Sequence, residues 1–194
     1  MSFYELLLFG HIVAVTVWLG SGLFIQIQAT RAEHAKDAEG LRRIAVESAD
    51  LGPVLFIPSS LIVLVLGLLL VVDGPWSFDY LWVVLGLAGY LATFLTGILI
   101  MKPGSERLAE IMNRDGMTHE AEIEIRKLLT KGRVDTIVLY LVVAVMVLKP
   151  TGDDVGLLVA MAAIVAAGLA YVAARLRAID AESTSAPAPA VPAA

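Results

Sequence analysis

The sequence contains no cysteine, which excludes disulfide bonds, thiolate metal sites and cysteine-ligated iron–sulfur clusters. Charge is also scarce, because 17% of the residues are Asp, Glu, Lys or Arg, whereas about a quarter is usual in soluble domains. Of the three histidines, only His11 lies in an apolar stretch. No nucleotide-binding loop, zinc motif or hydrolase motif is present, so the sequence does not support an enzyme site of the soluble type.

Apolar residues, by contrast, make up 58% of the chain, and the mean hydropathy is +0.81. A helix needs roughly 20 apolar residues to cross the hydrocarbon core of a bilayer, and only helices or closed barrels satisfy their backbone there. The apolar blocks cover residues 3–29, 51–72, 80–101, 134–148 and 155–174. The sequence therefore predicts an all-α membrane protein, an antiparallel bundle of five transmembrane helices, of which the fourth is short.

Basic residues are distributed unevenly among the connecting segments. Thirteen of the 14 lysines and arginines lie between the first and second blocks, between the third and fourth, or after the fifth. Only Lys149 lies in one of the remaining connecting segments, between the fourth and fifth blocks. Because Lys and Arg are enriched in cytoplasmic loops, we expect the N-terminus outside and the C-terminus in the cytoplasm of a bacterial inner membrane. Five helices fit this arrangement, because an odd number of spans places the two termini on opposite sides of the membrane.

The charged segments between the blocks have helical patterns and are expected to lie on the inner membrane surface. They cover residues 31–47, 105–113 and 119–131. Asp50 is predicted to cap the second transmembrane helix, and Thr118 to cap the helix that begins at His119. Gly116, after Asp115, is predicted to end the helix before it.

His11 is the main candidate for chemistry, because an ionisable group inside a membrane span marks a functional site by default. The helix face it occupies is small and polar, and it carries His11, Val15, Trp18 and Gly22. An imidazole in a bundle can ligate haem iron or another metal. The alternative is a histidine that only forms a hydrogen bond to a neighbouring helix.

The third transmembrane helix has a second face of this kind. It carries Gly86, Tyr90, Thr93 and Gly97, which could form the wall of a cofactor site or, alternatively, a surface for close helix packing. In the second transmembrane helix, Pro58 removes a backbone hydrogen bond and predicts a kink.

Three other features of the membrane segments remain open to more than one interpretation. Lys149 could meet a haem propionate, a substrate anion or Glu5, or it could extend to lipid headgroups. Asp135 could serve a proton path, pair with Arg133 or cap a helix. The methionines form no closely spaced pair, so the signal for copper is weak.

Three stretches resemble a bacterial integral-membrane family, domain of unknown function twenty-two sixty-nine, in the copper-resistance-D-like and membrane protoporphyrinogen-oxidase-like group. They are residues 9–22, 103–108 and 145–150. The resemblance covers residues 1–150, which it implies form a four-helix membrane bundle. Residues 151–177 are then an added fifth transmembrane helix, and the Ala/Pro-rich residues 178–194 are expected to be a disordered tail.

The resemblance also implies a cofactor. In the haem-linked relatives, a histidine in a His…Trp-x-Gly setting of the first helix is the expected haem ligand, and the matching residue here is His11. The basic features of the oxidase's second and third helices are not evident in this chain. The predicted cofactor site therefore has His11 as the ligand to haem iron, with a surrounding wall of Trp18, Gly22, Tyr90, Thr93 and Lys149.

Three hypotheses follow for the function. The first is a haem-binding or redox-associated membrane protein that uses His11, and the second is a copper or small-solute transporter. The third is a non-catalytic subunit or assembly factor whose Ala-rich fifth helix contacts a membrane protein partner or a second copy of the chain. That helix presents Ala160, Ala163, Ala167 and Ala170 on one side. The lipid bilayer is the expected surrounding in all three, no nucleic acid is expected, and no reaction is predicted.

Overall fold

The computed structural model describes residues 2–185, and these form a bundle of long helices. The described helices are α1 (Phe3–Ala35), α2 (Ala38–Leu51), α3 (Ile57–Asp73), α4 (Leu81–Thr96), α5 (Lys102–Asp115), α6 (His119–Leu148) and α7 (Val155–Ser185). Two π-helical turns, Gly52–Phe56 and Gly97–Met101, join α2 to α3 and α4 to α5. Each of these pairs therefore forms one long helix.

Four helices in the described part of the chain are long and apolar enough to cross a membrane. They are Phe3–Ala35, Ala38–Asp73, Leu81–Asp115 and Val155–Ser183. They correspond to the first, second, third and fifth predicted spans. The predicted fourth span lies in α6, whose apolar half begins with three charged residues, Lys131, Arg133 and Asp135.

α6 is the central helix of the bundle, because it packs against α1, α4 and α7, while α1 packs against α3. The surface of α7 that packs against α6 has a regular residue spacing. The less exposed residues of α7 alternate in steps of three and four, at Leu158, Met161, Val165, Gly168, Val172, Arg175 and Ile179. This spacing is typical of left-handed coiled-coil packing, and it places Gly168 against Ile137 of α6.

One end of the bundle, here the short-turn end, holds the start of α1 and the turns at residues 74–80 and 149–154. A small apolar cluster of Val71, Trp82, Val83 and Val145 closes it. The Ser2 and Glu5 side chains form a capping box at the start of α1. Glu5 is therefore already engaged, by hydrogen bonds with Ser2.

The opposite end, here the charged end, has its own apolar core. The buried residues Ala29, Leu41, Leu108 and Ile125 come from α1, α2, α5 and α6, and they pack together. The charged segments therefore pack against one another, and their position at the inner membrane surface stays a prediction. They fold onto one another because each has an apolar face that a neighbour can bury.

Helix boundaries in this region are partly as predicted. Thr118 caps α6 through a hydrogen bond from Ala121 N, and Gly116, with φ 74°, ends α5. Asp50, however, lies inside α2, so the prediction that it caps the second span is wrong. The cap of α2 is Asp37, whose carboxylate accepts from Gly40 N at 2.8 Å.

Two further predictions concern the path of the chain. Pro58, at which the sequence predicts a kink, lies inside the continuous helical run Ala38–Asp73, where Ser60 Oγ donates to the Ile57 carbonyl at 2.9 Å. The helix α7 continues to Ser185, so residues 178–185 of the predicted disordered tail are helical. The remainder of that tail, residues 186–194, lies outside the described residues.

Candidate functional site

His11 lies where α1 packs against α3. The position opposite it is Gly67, where a Cβ atom would stand 3.1 Å from His11 Cε1 and 3.6 Å from Nδ1. The ring also interacts with the backbone of Val63, one turn before Gly67. Because Gly67 has no side chain, the imidazole can lie directly against the backbone of α3.

This contact does not provide a hydrogen-bond partner for every ring nitrogen of His11. Nδ1 of His11 is buried and has no hydrogen-bond partner of normal geometry among the described residues. Buried polar atoms are almost always hydrogen-bonded, so this nitrogen is an exception among the described residues. Gly67 was not predicted from the sequence, although an isolated glycine in an apolar helix is typical of a close approach between helices.

Trp18 and Tyr90 bring together the predicted faces of α1 and α4. Their rings contact edge to face, with centroids 5.9 Å apart, and Phe94 stacks on Tyr90 at 5.9 Å. Tyr90 is 9% exposed, and its hydroxyl is buried without a hydrogen-bond partner. Thr93 is also buried, but its hydroxyl donates to the Tyr90 carbonyl at 2.9 Å, which leaves Tyr90 as the unsatisfied group.

The glycines of these two helices have different environments. No atom lies within 4 Å of the position that a Cβ of Gly22 or Gly97 would occupy, so these two glycines are not needed for close packing. Gly86 faces the Met146 side chain and Gly89 faces Val142, both on α6. Close packing of α4 on α6, the alternative given for this face, therefore accounts for Gly86.

Lys149 contacts aromatic rings at the short-turn end. Its Nζ lies 3.7 Å from the centroid of the Trp76 ring and 5.4 Å from that of Trp82. Trp76 in turn donates from Nε1 to the Tyr4 hydroxyl at 3.3 Å. These contacts describe a cation–π clamp, and none of the ring contacts or ion pairs found in residues 2–185 joins Lys149 to His11, Tyr90 or Glu5.

The charged residues of α6 find partners on three other helices. Arg133 forms an ion pair with Glu33 of α1 and donates to the Tyr171 hydroxyl of α7 at 3.1 Å. Asp135 interacts instead with the Thr96 side chain of α4. Of the three interpretations of Asp135, a pair with Arg133 and a helix cap are therefore disfavoured, since Arg133 pairs with Glu33 and Asp135 lies inside α6.

The site has little capacity for a metal held by protein ligands alone. Within residues 2–185, no group of three or more His, Cys, Asp or Glu side chains comes together. A single imidazole suits a metal that brings its other ligands with it, as haem iron does.

A family model described as a predicted integral membrane protein (DUF2269) matches residues 5–150. The match includes α1 through α6, together with His11, Gly67, Tyr90 and Lys149, and it ends before α7. No curated protein and no solved structure matches the chain.

Proposed function

Because the chain belongs to this family of predicted integral membrane proteins, we propose that it is a five-helix, multi-pass protein of a bacterial inner membrane. α6, with 30 residues, is about 45 Å long at 1.5 Å per residue, enough to cross a bilayer. Its charged residues support this assignment, since Arg133 pairs with Glu33 and Asp135 interacts with Thr96. The basic charged end is cytoplasmic and the short-turn end faces outward.

We further propose that the bundle binds a cofactor through His11, and that the cofactor is haem. The observation that carries this proposal is the buried Nδ1 atom without a partner. A ligating histidine commonly uses one ring nitrogen for the metal and the other for a backbone carbonyl, and the backbone of Val63 lies beside this ring. The resemblance of the first helix to haem-linked relatives is a second, independent support.

Few of the described residues could ligate haem iron, and His11 is the main one. His11 would hold the iron, and the bound haem would supply one-electron chemistry. The Tyr90 hydroxyl is a second buried polar atom without a hydrogen-bond partner among the described residues, and a phenol is also a known type of haem ligand. Trp18 and Phe94 would shield the site from lipid. Lys149 has no part in this proposal, because Trp76 and Trp82 already surround its ammonium group.

An absorption spectrum tests the proposal. The detergent-purified protein, expressed with adequate haem, is compared with its His11→Ala variant. His34→Ala is the matched control, since His34 is exposed in the last turn of α1. We expect a Soret band in the parent and in His34→Ala and its loss in a folded His11→Ala protein. A parent without any band, or a band that persists in His11→Ala, would contradict the proposal.

A specific observation also favours a second function, that of a non-catalytic subunit. Ala160, Ala163, Ala167 and Ala170 are all exposed on the side of α7 away from α6, and small residues allow close helix association in membranes. Under this alternative, Ala163→Leu would dissociate a native membrane complex on a native gel, whereas His11→Ala would leave the complex intact. No comparable observation favours copper or small-solute transport.

A further inference from the structure

The indole rings of Trp76 and Trp82 form a corner at the short-turn end of the bundle. Their centroids are 5.2 Å apart and their planes meet at 89°, so the two rings are nearly perpendicular. The Lys149 ammonium group occupies this corner, with Nζ 3.7 Å from the Trp76 centroid and 5.4 Å from that of Trp82. Aromatic rings that surround one cation are the arrangement with which proteins recognise quaternary ammonium ligands. The two rings are called the aromatic corner here.

The aromatic corner has supports other than Lys149. Trp82 is 8% exposed and belongs to the apolar cluster that closes this end of the bundle. Trp76 packs against that cluster, and its Nε1 donates to the Tyr4 hydroxyl at 3.3 Å. A Cβ at Gly74 would stand 2.8 Å from atoms of both the Trp76 and Tyr4 rings, so the missing side chain lets these rings approach. The corner can therefore keep its shape when the ammonium group leaves it.

The Lys149 ammonium group is held by the rings alone. Among the ion pairs and side-chain hydrogen bonds found in residues 2–185, none involves its Nζ atom. Lys149 is partly exposed, and its long flexible chain can carry the strongly hydrated ammonium group into water. A methylated ammonium group has no N–H donors to hydrate, so it gains less from water and keeps the attraction of the rings. The corner therefore suits such a group better than it suits a lysine.

The charges around the aromatic corner favour a cation as its ligand. Lys149 is the one basic residue in the sequence of the short-turn end. The acidic residues of this end are Glu5, Asp73, Asp79, Asp153 and Asp154. Because charges of one sign raise the local concentration of ions of the other sign, these carboxylates attract organic cations. An anion bound through Lys149 would instead be repelled by them.

We propose that the aromatic corner is a binding site for a methylated ammonium group, and that Lys149 is a built-in occupant which this ligand displaces. Such a group is carried by soluble amines of the choline type and by the headgroup of phosphatidylcholine. The site goes beyond the proposed cofactor function and is independent of it, because it uses neither His11 nor Tyr90.

Saturation-transfer NMR of the choline methyl protons tests the proposal on the full chain, in a detergent without an ammonium group. In the parent protein, choline binds only the fraction of molecules in which Lys149 has left the corner, which weakens the apparent affinity. Lys149→Met removes the competing charge and keeps a long side chain. We expect choline to bind roughly 2- to 30-fold more tightly to this variant, the factor that corresponds to the attraction of a cation for an indole ring.

Lys36→Met is the matched control. Lys36 and Lys149 are the two non-glycine residues with positive φ in the described chain, at 52° and 48°, and each follows the end of a helix. No cation–π contact found in residues 2–185 involves Lys36, so we expect its replacement to leave choline binding unchanged. An equal gain in both variants would overturn the proposal, as would binding to neither the parent nor Lys149→Met, or to Lys149→Met alone.

A comparison on the unmodified protein keeps the test decisive if a variant fails to fold. The neutral analogue of choline, in which carbon replaces the nitrogen, has the same shape without the charge. We expect the parent to bind choline several-fold more tightly than this analogue, because the rings attract the charge. Equal binding of the two molecules would overturn the proposal.

Lipid nanodiscs distinguish the two sources of the ammonium group. If a lipid headgroup fills the aromatic corner, choline binding is lost in phosphatidylcholine discs and kept in phosphatidylglycerol discs. If the natural ligand is a soluble amine, choline binds in both. Loss of binding in both kinds of disc would show that a bilayer closes the corner, and would overturn the proposal.

Discussion

Nδ1 of His11 and the hydroxyl of Tyr90 are buried polar atoms without a partner among the described residues. Each such atom costs about 1–3 kcal/mol, and the hydrocarbon around a membrane bundle offers no compensating water. Thr93 lies equally deep but satisfies its hydroxyl within its own helix. At the scale of the residue, therefore, His11 and Tyr90 are better candidates for binding than Thr93 or Gly22.

Gly67→Ala tests the packing of the His11 ring against α3. The added methyl group would stand 3.1 Å from His11 Cε1, so the imidazole must shift, and we expect a loss of about 1–3 kcal/mol in stability. Chemical unfolding in detergent followed by circular dichroism measures this loss.

Gly22→Ala is the matched control, because no atom lies within 4 Å of the new Cβ, and we expect stability to be unchanged or slightly raised. Equal stability of Gly67→Ala and the parent would show that the ring does not depend on the missing side chain.

The sequence indicated His11 but not its neighbour. An ionisable residue in an apolar run is visible in one sequence, because burial of its charge in lipid is costly whichever helix lies opposite. Gly67, Glu33 and Arg133 were not predicted as partners, since helical periodicity shows which face is buried but not which residue meets it. Contacts between helices depend on rotation and register that no single helix determines.

At the scale of the helix, local signals predicted several boundaries correctly and missed those where helices join. Thr118 and Gly116 act through their own backbone geometry and were predicted. Asp50 was predicted as a cap at the start of the second apolar block, but the chain there passes through a π turn, Gly52–Phe56, and continues as a helix. Pro53, at the start of that π turn, lacks a backbone donor but does not end the helix.

The Asp154 carboxylate accepts two hydrogen bonds from Thr151 in the turn before α7, and protonation of the carboxylate would weaken them. Hydrogen bonds from the Thr151 amide and hydroxyl, at 2.8 and 2.9 Å, lower the pKa of the Asp154 carboxyl below its ordinary value. Because the pKa of Asp154 is lower in the folded than in the unfolded chain, the stabilisation by these hydrogen bonds is complete at pH values above the unfolded-state pKa. It is lost as the pH falls through the folded pKa.

We therefore expect faster hydrogen–deuterium exchange of the Thr151 amide as the pH falls below about 3.9, the ordinary pKa of an aspartate, after correction for intrinsic exchange. Asp154→Asn should remove this pH-dependent step. An identical pH profile in the variant would assign the step to another group.

At the scale of the whole molecule, the apolar blocks predicted the order of the long helices, and four of the five blocks lie in helices with the length and composition of membrane spans. The position of α6 at the centre was not predicted. A short apolar run with three charges near its start suggested a marginal helix, whereas its neighbours surround it and supply partners for Arg133 and Asp135.

The absence of cysteine makes the orientation of the bundle directly measurable. In the proposed topology, Asp153→Cys at the short-turn end should react with an impermeant maleimide added to intact spheroplasts. Asn113→Cys at the charged end should react only after the membrane is opened. Both positions are exposed. Labelling of both from one side would rule out α6 as a membrane span, and the reversed pattern would invert the orientation.

The ammonium group of Lys149 against the indole of Trp76 has an optical consequence. A positive charge held over an indole ring perturbs its excited state, so the emission of Trp76 depends on the position of Lys149. The chain has three tryptophans, and the third, Trp18, contacts Tyr90 on the other face of the bundle. With Trp18 replaced by phenylalanine, the remaining fluorescence would come from Trp76 and Trp82 alone, and it would report the contact between Lys149 and Trp76 without any added dye.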